Sequence, residues 1–226
     1  MLETMSDFFA ARLDGYDWHM LNEIESAREF YAFTAEQLPA DPDCHLLDLG
    51  CGTGLELEAY FVRNPQASVH GIDLCKPMLD ALAHKLPDKR LTLTHGSYFD
   101  VPFGESTFDA AVSVESLHHF TKEQKIPLYK KLYASLKPGG SFILTDYFAP
   151  DDEQEHAFRE QLQALKAAQG IQDDAFYHYD TPLTVQHEAE ALLTAGFDAV
   201  QVIGKWGATL TLKAQKIQDA SHGGLP

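Results

Sequence analysis

Cysteine occurs only three times in the 226 residues, as Cys44, Cys51 and Cys75. An odd number without a C-x-x-C spacing excludes a disulfide framework and a cysteine-rich metal knuckle, and the three read as reduced thiols in a cytoplasmic protein. Basic residues are scarce as well: 17 Lys and Arg stand against 34 Asp and Glu, a net charge of −17. So negative a surface repels phosphate backbones and anionic headgroups, which argues against nucleic-acid and membrane partners. Nowhere do about 18 apolar residues run together, so no membrane span is expected. The first twenty residues carry Glu3, Asp7, Arg12, Asp14 and Asp17 and do not read as a signal peptide. Repeats and low-complexity tracts are absent too.

What remains is an ordinary globular balance, 45% apolar and 23% charged, enough for one domain with a small lid. A chain of this length buries roughly 70–75% of its unfolded surface and needs no covalent or metal staple.

Met20, Ile24, Ala27 and Tyr31 recur at helical spacing, so residues 1–40 read as a helical N-terminal lid, ended by Pro39 and Pro42. From His45 onward β-rich runs alternate with helical patterns. Strands are predicted at 46–49, 68–73, 91–95, 108–114 and 141–146, and helices at 55–63, 77–86 and 127–136. Pro127 belongs in the first turn of its helix, with Thr121 and Gln124 capping a separate short turn before it. A helix from Asp151 presents Phe158, Leu162 and Leu165 on one face, and another runs from Thr184 to Ala195 and stops at Gly196. Two last apolar runs, 197–203 and 208–212, suit an antiparallel hairpin at a sheet edge, and residues 216–226 read as a loose tail. The fold class is therefore α/β: a Rossmann-like, mostly parallel sheet with helices on both faces, spanning residues 41–215, with 147–183 as a second lid or acceptor region.

The most informative stretch is Leu46-Leu-Asp-Leu-Gly-Cys-Gly-Thr-Gly-Leu-Glu-Leu-Glu58. An apolar strand runs into Gly50, Gly52 and Gly54, and an amphipathic helix starts at once. Glycines at alternate positions let the backbone turn tightly and let a ligand approach where a Cβ would collide. A second strand ends at Asp73, about 20 residues on, where a carboxylate reaches ribose hydroxyls. The GxGxG spacing, with Asp48 two residues before the first glycine, departs from the dinucleotide fingerprint. A carboxylate there opposes a pyrophosphate and suits an ammonium group.

These residues, with Phe108-Asp-Ala-Ala-Val-Ser-Val114, Leu117-His-His-Phe120 and Leu136-Lys-Pro-Gly-Gly140, resemble the class I S-adenosylmethionine-dependent methyltransferases, in particular the small-molecule type. The resemblance covers most of residues 45–146 in the expected order. It implies S-adenosylmethionine as cofactor, S-adenosylhomocysteine as product and a small-molecule acceptor. It also implies that Asp48 and the loop, with Cys51 in its turn, hold the methionine portion, that Asp73 binds the ribose, and that Leu74 and Met78 pack near the adenine. Where the family often has an acidic residue after the glycine of the third strand, this chain has Ser97, followed by Tyr98. Glu115 and Tyr16 complete the implied cofactor contacts, and Met78 reads equally as ordinary core.

Methyl transfer from a sulfonium needs the nucleophile held in line, and a base only if the acceptor must lose a proton. The candidates at the carboxyl edge of the sheet are His118, Asp146 and Tyr147, with Glu115 and His119 beside them. For His118 and His119 packing or a donor contact is the favoured reading over a base, and Asp146 reads equally as a loop cap. Trp18 reads as pinning the N-terminal lid to the core, while Tyr147, Phe148, Phe176, Tyr177, His178 and Tyr179 suggest an aromatic acceptor pocket or, equally, the packed core of a second lid. Asp151, Asp152, Glu153 and Glu155 sit where acids favour a helix start, so no metal site is assigned to them. Two other readings stay open: a non-catalytic S-adenosylmethionine-binding regulatory module, and an NAD-linked oxidoreductase with an irregular glycine loop. Neither the acceptor atom nor the oligomeric state is encoded legibly.

Overall fold

Alternation of side chains along the strands decides how the two helical layers attach. The computed structural model describes residues 1–217. Its sheet has seven strands: β1 (His45–Leu49), β2 (Ser68–Asp73), β3 (Arg90–His95), β4 (Phe108–Val114), β5 (Leu136–Tyr147), β6 (Ala199–Trp206) and β7 (Thr209–Gln215). The order is β3-β2-β1-β4-β5-β7-β6, parallel except for β7, which pairs antiparallel with both β5 and β6. The C-terminal hairpin thus lies at the edge, as the two apolar runs predict.

Leu47 and Leu49 of β1, Ala111 of β4 and Phe142 and Leu144 of β5 face one core, while Leu46, Ala110, Val112 and Ile143 face the other. The first core is covered by α5 (Lys122–Ser135) and α7 (Val185–Ala195), through Leu128, Leu132 and Leu192. The second is covered by α2 (Ala27–Gln37), α3 (Leu55–Arg63) and α4 (Lys76–Lys85), through Phe30, Leu57 and Leu82. Fully burying one such side chain stabilises by about 1.5–3 kcal/mol.

Helix α1 (Met5–Glu23) starts with Met5 in the first core and ends with Met20 in the second, so it crosses over the carboxyl edge of the sheet. The helical pattern of residues 1–40 is broken after α1: Ile24 is extended and Ser26 has φ +58°. Of that segment only α1 lies over the edge; Phe30, Tyr31 and Ala35 of α2 belong to the core layer. Trp18 does not pin the lid, being 63% exposed.

Pro127 lies inside α5 and not in its first turn. Thr121 and Gln124 form a reciprocal capping box on this same helix, so the start moves back to Lys122 and the proline follows at the sixth position. Helix α6 (Asp152–Ala168) is capped by Asp151, whose side chain accepts from Gln154 N at 2.8 Å. Glu155, in its first turn, accepts the N–H of Thr184 at 2.6 Å and so ties α6 to the start of α7. The loop after α6 returns to the N-terminus: Thr4 bridges Tyr177, Met5 N donates to Phe176 O at 2.8 Å, and His178 N donates to Glu3 O at 3.0 Å.

Lys216 and Ile217 are not loose. Lys216 N donates to Gly140 O at 3.0 Å, its ammonium donates to Leu136 O at 2.7 Å, and Ile217 N donates to Asp198 Oδ2 at 2.8 Å. The rest of the predicted tail lies outside the described residues. Among those described, no helix is long and apolar enough to cross a membrane.

Candidate active site

Three glycines in the left-handed region carry the chain from β1 into α3, with φ of +76° at Gly50, +47° at Gly52 and +75° at Gly54. A side chain there would strain the backbone by about 1–3 kcal/mol. Gly50 N donates to Ile72 O at 2.8 Å, which anchors the loop on β2. Asp73, at the end of β2, accepts from Gly52 N at 2.8 Å and from Cys75 N at 2.7 Å. One carboxylate thereby fixes both the glycine loop and the start of α4. Burial raises its pKa above the usual range, and those two N–H groups oppose the rise.

A Cβ on Gly52 would meet no protein atom within 4 Å, so the loop leaves open space on that side. The space belongs to a cavity at the carboxyl edge of the sheet, where ligands of open α/β sheets bind. Gly50, Gly52 and Asp73 line it on one side, with Leu74 and Met78 beside them; Ser97, Tyr98, Glu115 and Tyr16 complete the predicted residues present there. Three predicted residues do not reach it. Gly54 is the N-cap of α3, and a Cβ there would be 2.5 Å from Leu82 Cδ1. The Cys51 side chain turns away under β2, against Gly71.

Asp48 is fully buried beneath the loop, and no hydrogen-bond partner meets its two oxygens. Burial and the adjacent Glu56 hold its carboxyl well above the usual range, and burial raises Glu56 as well. The two acids share a buried site in which neither ionises as readily as in water.

A second, open cleft adjoins the cavity, and Tyr16, Glu115 and His119 line both. Glu115 has φ +49°, uncommon for a side chain of its size, and accepts from Thr209 Oγ1 at 3.1 Å. Burial, with Asp146 nearby, raises its pKa to about 7.

His118 reaches this cleft, with Nδ1 2.6 Å from Asp146 Oδ1 and Nε2 3.4 Å from Asp180 Oδ1. Burial opposes its charge, but the two carboxylates prevail and hold the imidazolium well above the usual range. Burial and that neighbouring charge push His119 well below it. Asp146 stands behind His118, locked by the N–H groups of Leu117 at 2.9 Å and Tyr147 at 3.0 Å. Tyr147 lines neither the cavity nor the cleft, although its ring stands edge-on to His118 with centroids 6.2 Å apart.

The expected aromatic pocket is dispersed. Phe176 lines the cavity and His178 the cleft, whereas Phe148 is core and Tyr179 donates its hydroxyl to Gln161 of α6 at 2.8 Å. Sequence reasoning missed Met5, Ser6, Phe9 and Asp180. The first three come from α1 and reach the cavity only because the N-terminal segment pairs with the loop around Tyr177. Asp180 closes the run Tyr177-His-Tyr-Asp180, whose aromatic character masked the acid.

Residues 46–140 match a methyltransferase domain family. The phosphoethanolamine N-methyltransferase of Plasmodium falciparum is 27% identical over 157 residues, 69% of this chain and 54% of that protein. A 24-methylenesterol C-methyltransferase of Oryza sativa is 31% identical over 123 residues, 53% of this chain and 33% of that protein. The chain thus spans about a third to a half of the length of these relatives. The YcgJ protein of Bacillus subtilis shares the fold, with a TM-score of 0.67 at 16% identity over 85% of this chain and 100% of that one.

Proposed function

Because the chain belongs to the class I S-adenosylmethionine-dependent methyltransferases, we propose that it transfers the cofactor's methyl group to a small-molecule acceptor held in the cleft beside the cofactor cavity. The observation that carries this is the pairing at the loop: Gly52 leaves its Cβ side open to the cavity that Asp73 also lines. When bound, S-adenosylmethionine supplies a methyl group on a sulfonium, transferable by in-line displacement.

The residues present fit that cofactor. The space beside Gly52 is what the methionine portion needs, and the two unpartnered oxygens of Asp48, buried beneath the loop, would favour its ammonium end. Asp73 keeps lone pairs for ribose hydroxyls beyond the two N–H bonds it already accepts. Leu74, Met78 and Ser97 form the wall assigned to the adenine, and Tyr98 and Tyr16 line the same cavity. Helix α1 and residues 147–183 serve as two lids. Glu115, common to cavity and cleft, stands where methyl and acceptor meet, and Asp146 positions His118 at the acceptor's side.

The net charge of −17 supports a small acceptor over a nucleic acid. The names of the two relatives point the same way, although one acts at nitrogen and the other at carbon. Three free, buried cysteines agree with a cytoplasmic setting.

The test mixes the protein, isotope-labelled S-adenosylmethionine and a small-molecule cell extract, and follows the label by mass spectrometry. The expected result is a labelled metabolite absent from the Gly52→Val control. Cofactor binding without transfer to any small molecule overturns this reading in favour of a non-catalytic module or a macromolecular acceptor.

A further inference from the structure

Two consecutive histidines after β4 and an aspartate from the loop between α6 and α7 converge at the cleft. The side chains of His118 and His119 are 8% and 3% exposed, and that of Asp180 is half exposed on the open side. The loop is pinned in place: Thr181 N donates to His118 O at 3.0 Å.

We propose that His118, His119 and Asp180 form a binding site for a divalent transition metal of the zinc type, open to the acceptor cleft. Asp180 Oδ1 stands 3.4 Å from His118 Nε2 and 3.4 Å from His119 Nδ1. Charge-assisted N–H···O bonds settle at about 2.7–2.9 Å, so the 3.4 Å spacing from one oxygen to two nitrogens is long for the ion pair alone. It matches the edge of a tetrahedron with metal–ligand bonds of about 2.0–2.1 Å, which is roughly 3.3–3.4 Å. The ligand atoms of all three residues lie within 4.8 Å of one another.

The surroundings are those a ligating histidine needs. His118 Nδ1 lies 2.6 Å from Asp146 Oδ1, which keeps the proton on Nδ1 and turns Nε2 toward Asp180, where a metal replaces the Nε2 proton, and Asp146 is itself held by two backbone N–H groups. His119 Nδ1 now lies 3.1 Å from Tyr179 O; on ligation it exchanges that contact for the metal and carries its proton on Nε2. Two imidazoles and one carboxylate suit zinc, cobalt, nickel or iron(II) better than magnesium or calcium. Three protein ligands leave a fourth position toward the cleft, where an oxygen, nitrogen or sulfur of an acceptor could bind. Metal binding does not depend on the methyl-transfer reading; only the use of that fourth position does.

The full chain, stripped with a chelator and then titrated with Co²⁺, tests the site by visible absorption and calorimetry, followed by displacement with Zn²⁺. One ion per chain is expected, with a tetrahedral Co²⁺ spectrum and at least ~100-fold weaker binding in His119→Ala and in Asp180→Asn. The half-exposed Asp180 makes its variant the one whose fold is least perturbed, checked by unchanged thermal unfolding without metal. Absence of binding at micromolar Co²⁺ and Zn²⁺, or binding that neither variant weakens, overturns the site. The readout is the ion, so failure here leaves the labelled-methyl experiment free to succeed or fail separately.

Discussion

A Cβ on Gly50 would stand 2.0 Å from Ser116 Oγ and 2.6 Å from Ser116 Cβ. The first glycine of the loop and the turn after β4 are thus packed backbone against side chain, and the site's two halves share one contact. Gly50→Ala is expected to cost about 1–3 kcal/mol from its positive φ and a similar amount from overpacking. Ser116→Gly in the same chain removes only the second part. Urea denaturation of the two singles and the double should give a favourable coupling of about 1–3 kcal/mol; additive losses would show that the contact is not what excludes a side chain.

At Gly52 the space is open to the ligand instead. Gly52→Val is expected to stay folded, losing about 1–3 kcal/mol to its φ, while binding S-adenosylmethionine at least ~100-fold more weakly. Calorimetric titration showing normal affinity would remove the loop from the cofactor site.

Asp73 couples ligand and scaffold. Asp73→Ala leaves the N–H groups of Gly52 and Cys75 unpaired, so both the melting temperature and cofactor affinity should fall. Asp73→Asn retains one acceptor oxygen and should recover part of the melting temperature but little affinity. Equal recovery of both would mean that the carboxylate matters only to the loop.

Between α5 and α7, Lys125 donates to Glu188 Oε2 at 2.5 Å with both side chains 1% exposed, and Tyr129 donates to the other oxygen. Glu188→Leu alone strands a buried ammonium and is expected to cost about 3–5 kcal/mol. Lys125→Met with Glu188→Leu should restore most of it, because a packed apolar pair needs no desolvation. Denaturant unfolding that finds the double variant no better than the single would contradict this.

Asp109 offers a pH-dependent contribution. Burial pushes its pKa up, but the N–H of His45 at 2.8 Å and the Lys137 ammonium at 2.7 Å hold it below the usual carboxylate range. A folded pKa below the unfolded one, about 3.9, contributes stability that is present above that value and lost as pH falls through the folded pKa. Melting temperatures measured from pH 7 to 3 should therefore fall less steeply in Asp109→Asn; an identical acid limb would assign the loss to other groups.

The sheet, the glycine loop and Asp73 were legible because each depends on local pattern: period-two apolar runs, glycines at fixed offsets, an acid at a strand end. Pro127 misled because a proline's local preference for a first turn yielded to the capping box at Thr121. Lys125 and Glu188 escaped notice since nothing in sequence marks a charge for burial when its partner is 63 residues away. Asp180 and the α1 residues were hidden for the same reason. They reach the site through long-range pairing, which leaves no periodic trace.

The pairing of Glu3, Thr4 and Met5 with Phe176, Tyr177 and His178 gives the cavity a roof stitched from two distant stretches of chain. A spent cofactor leaves, and a fresh one enters, by parting that seam or passing around it. Seam and occupant thus become thermodynamic partners: a ligand that touches both Met5 and Phe176 holds the seam shut, and the closed seam in turn slows the ligand's escape.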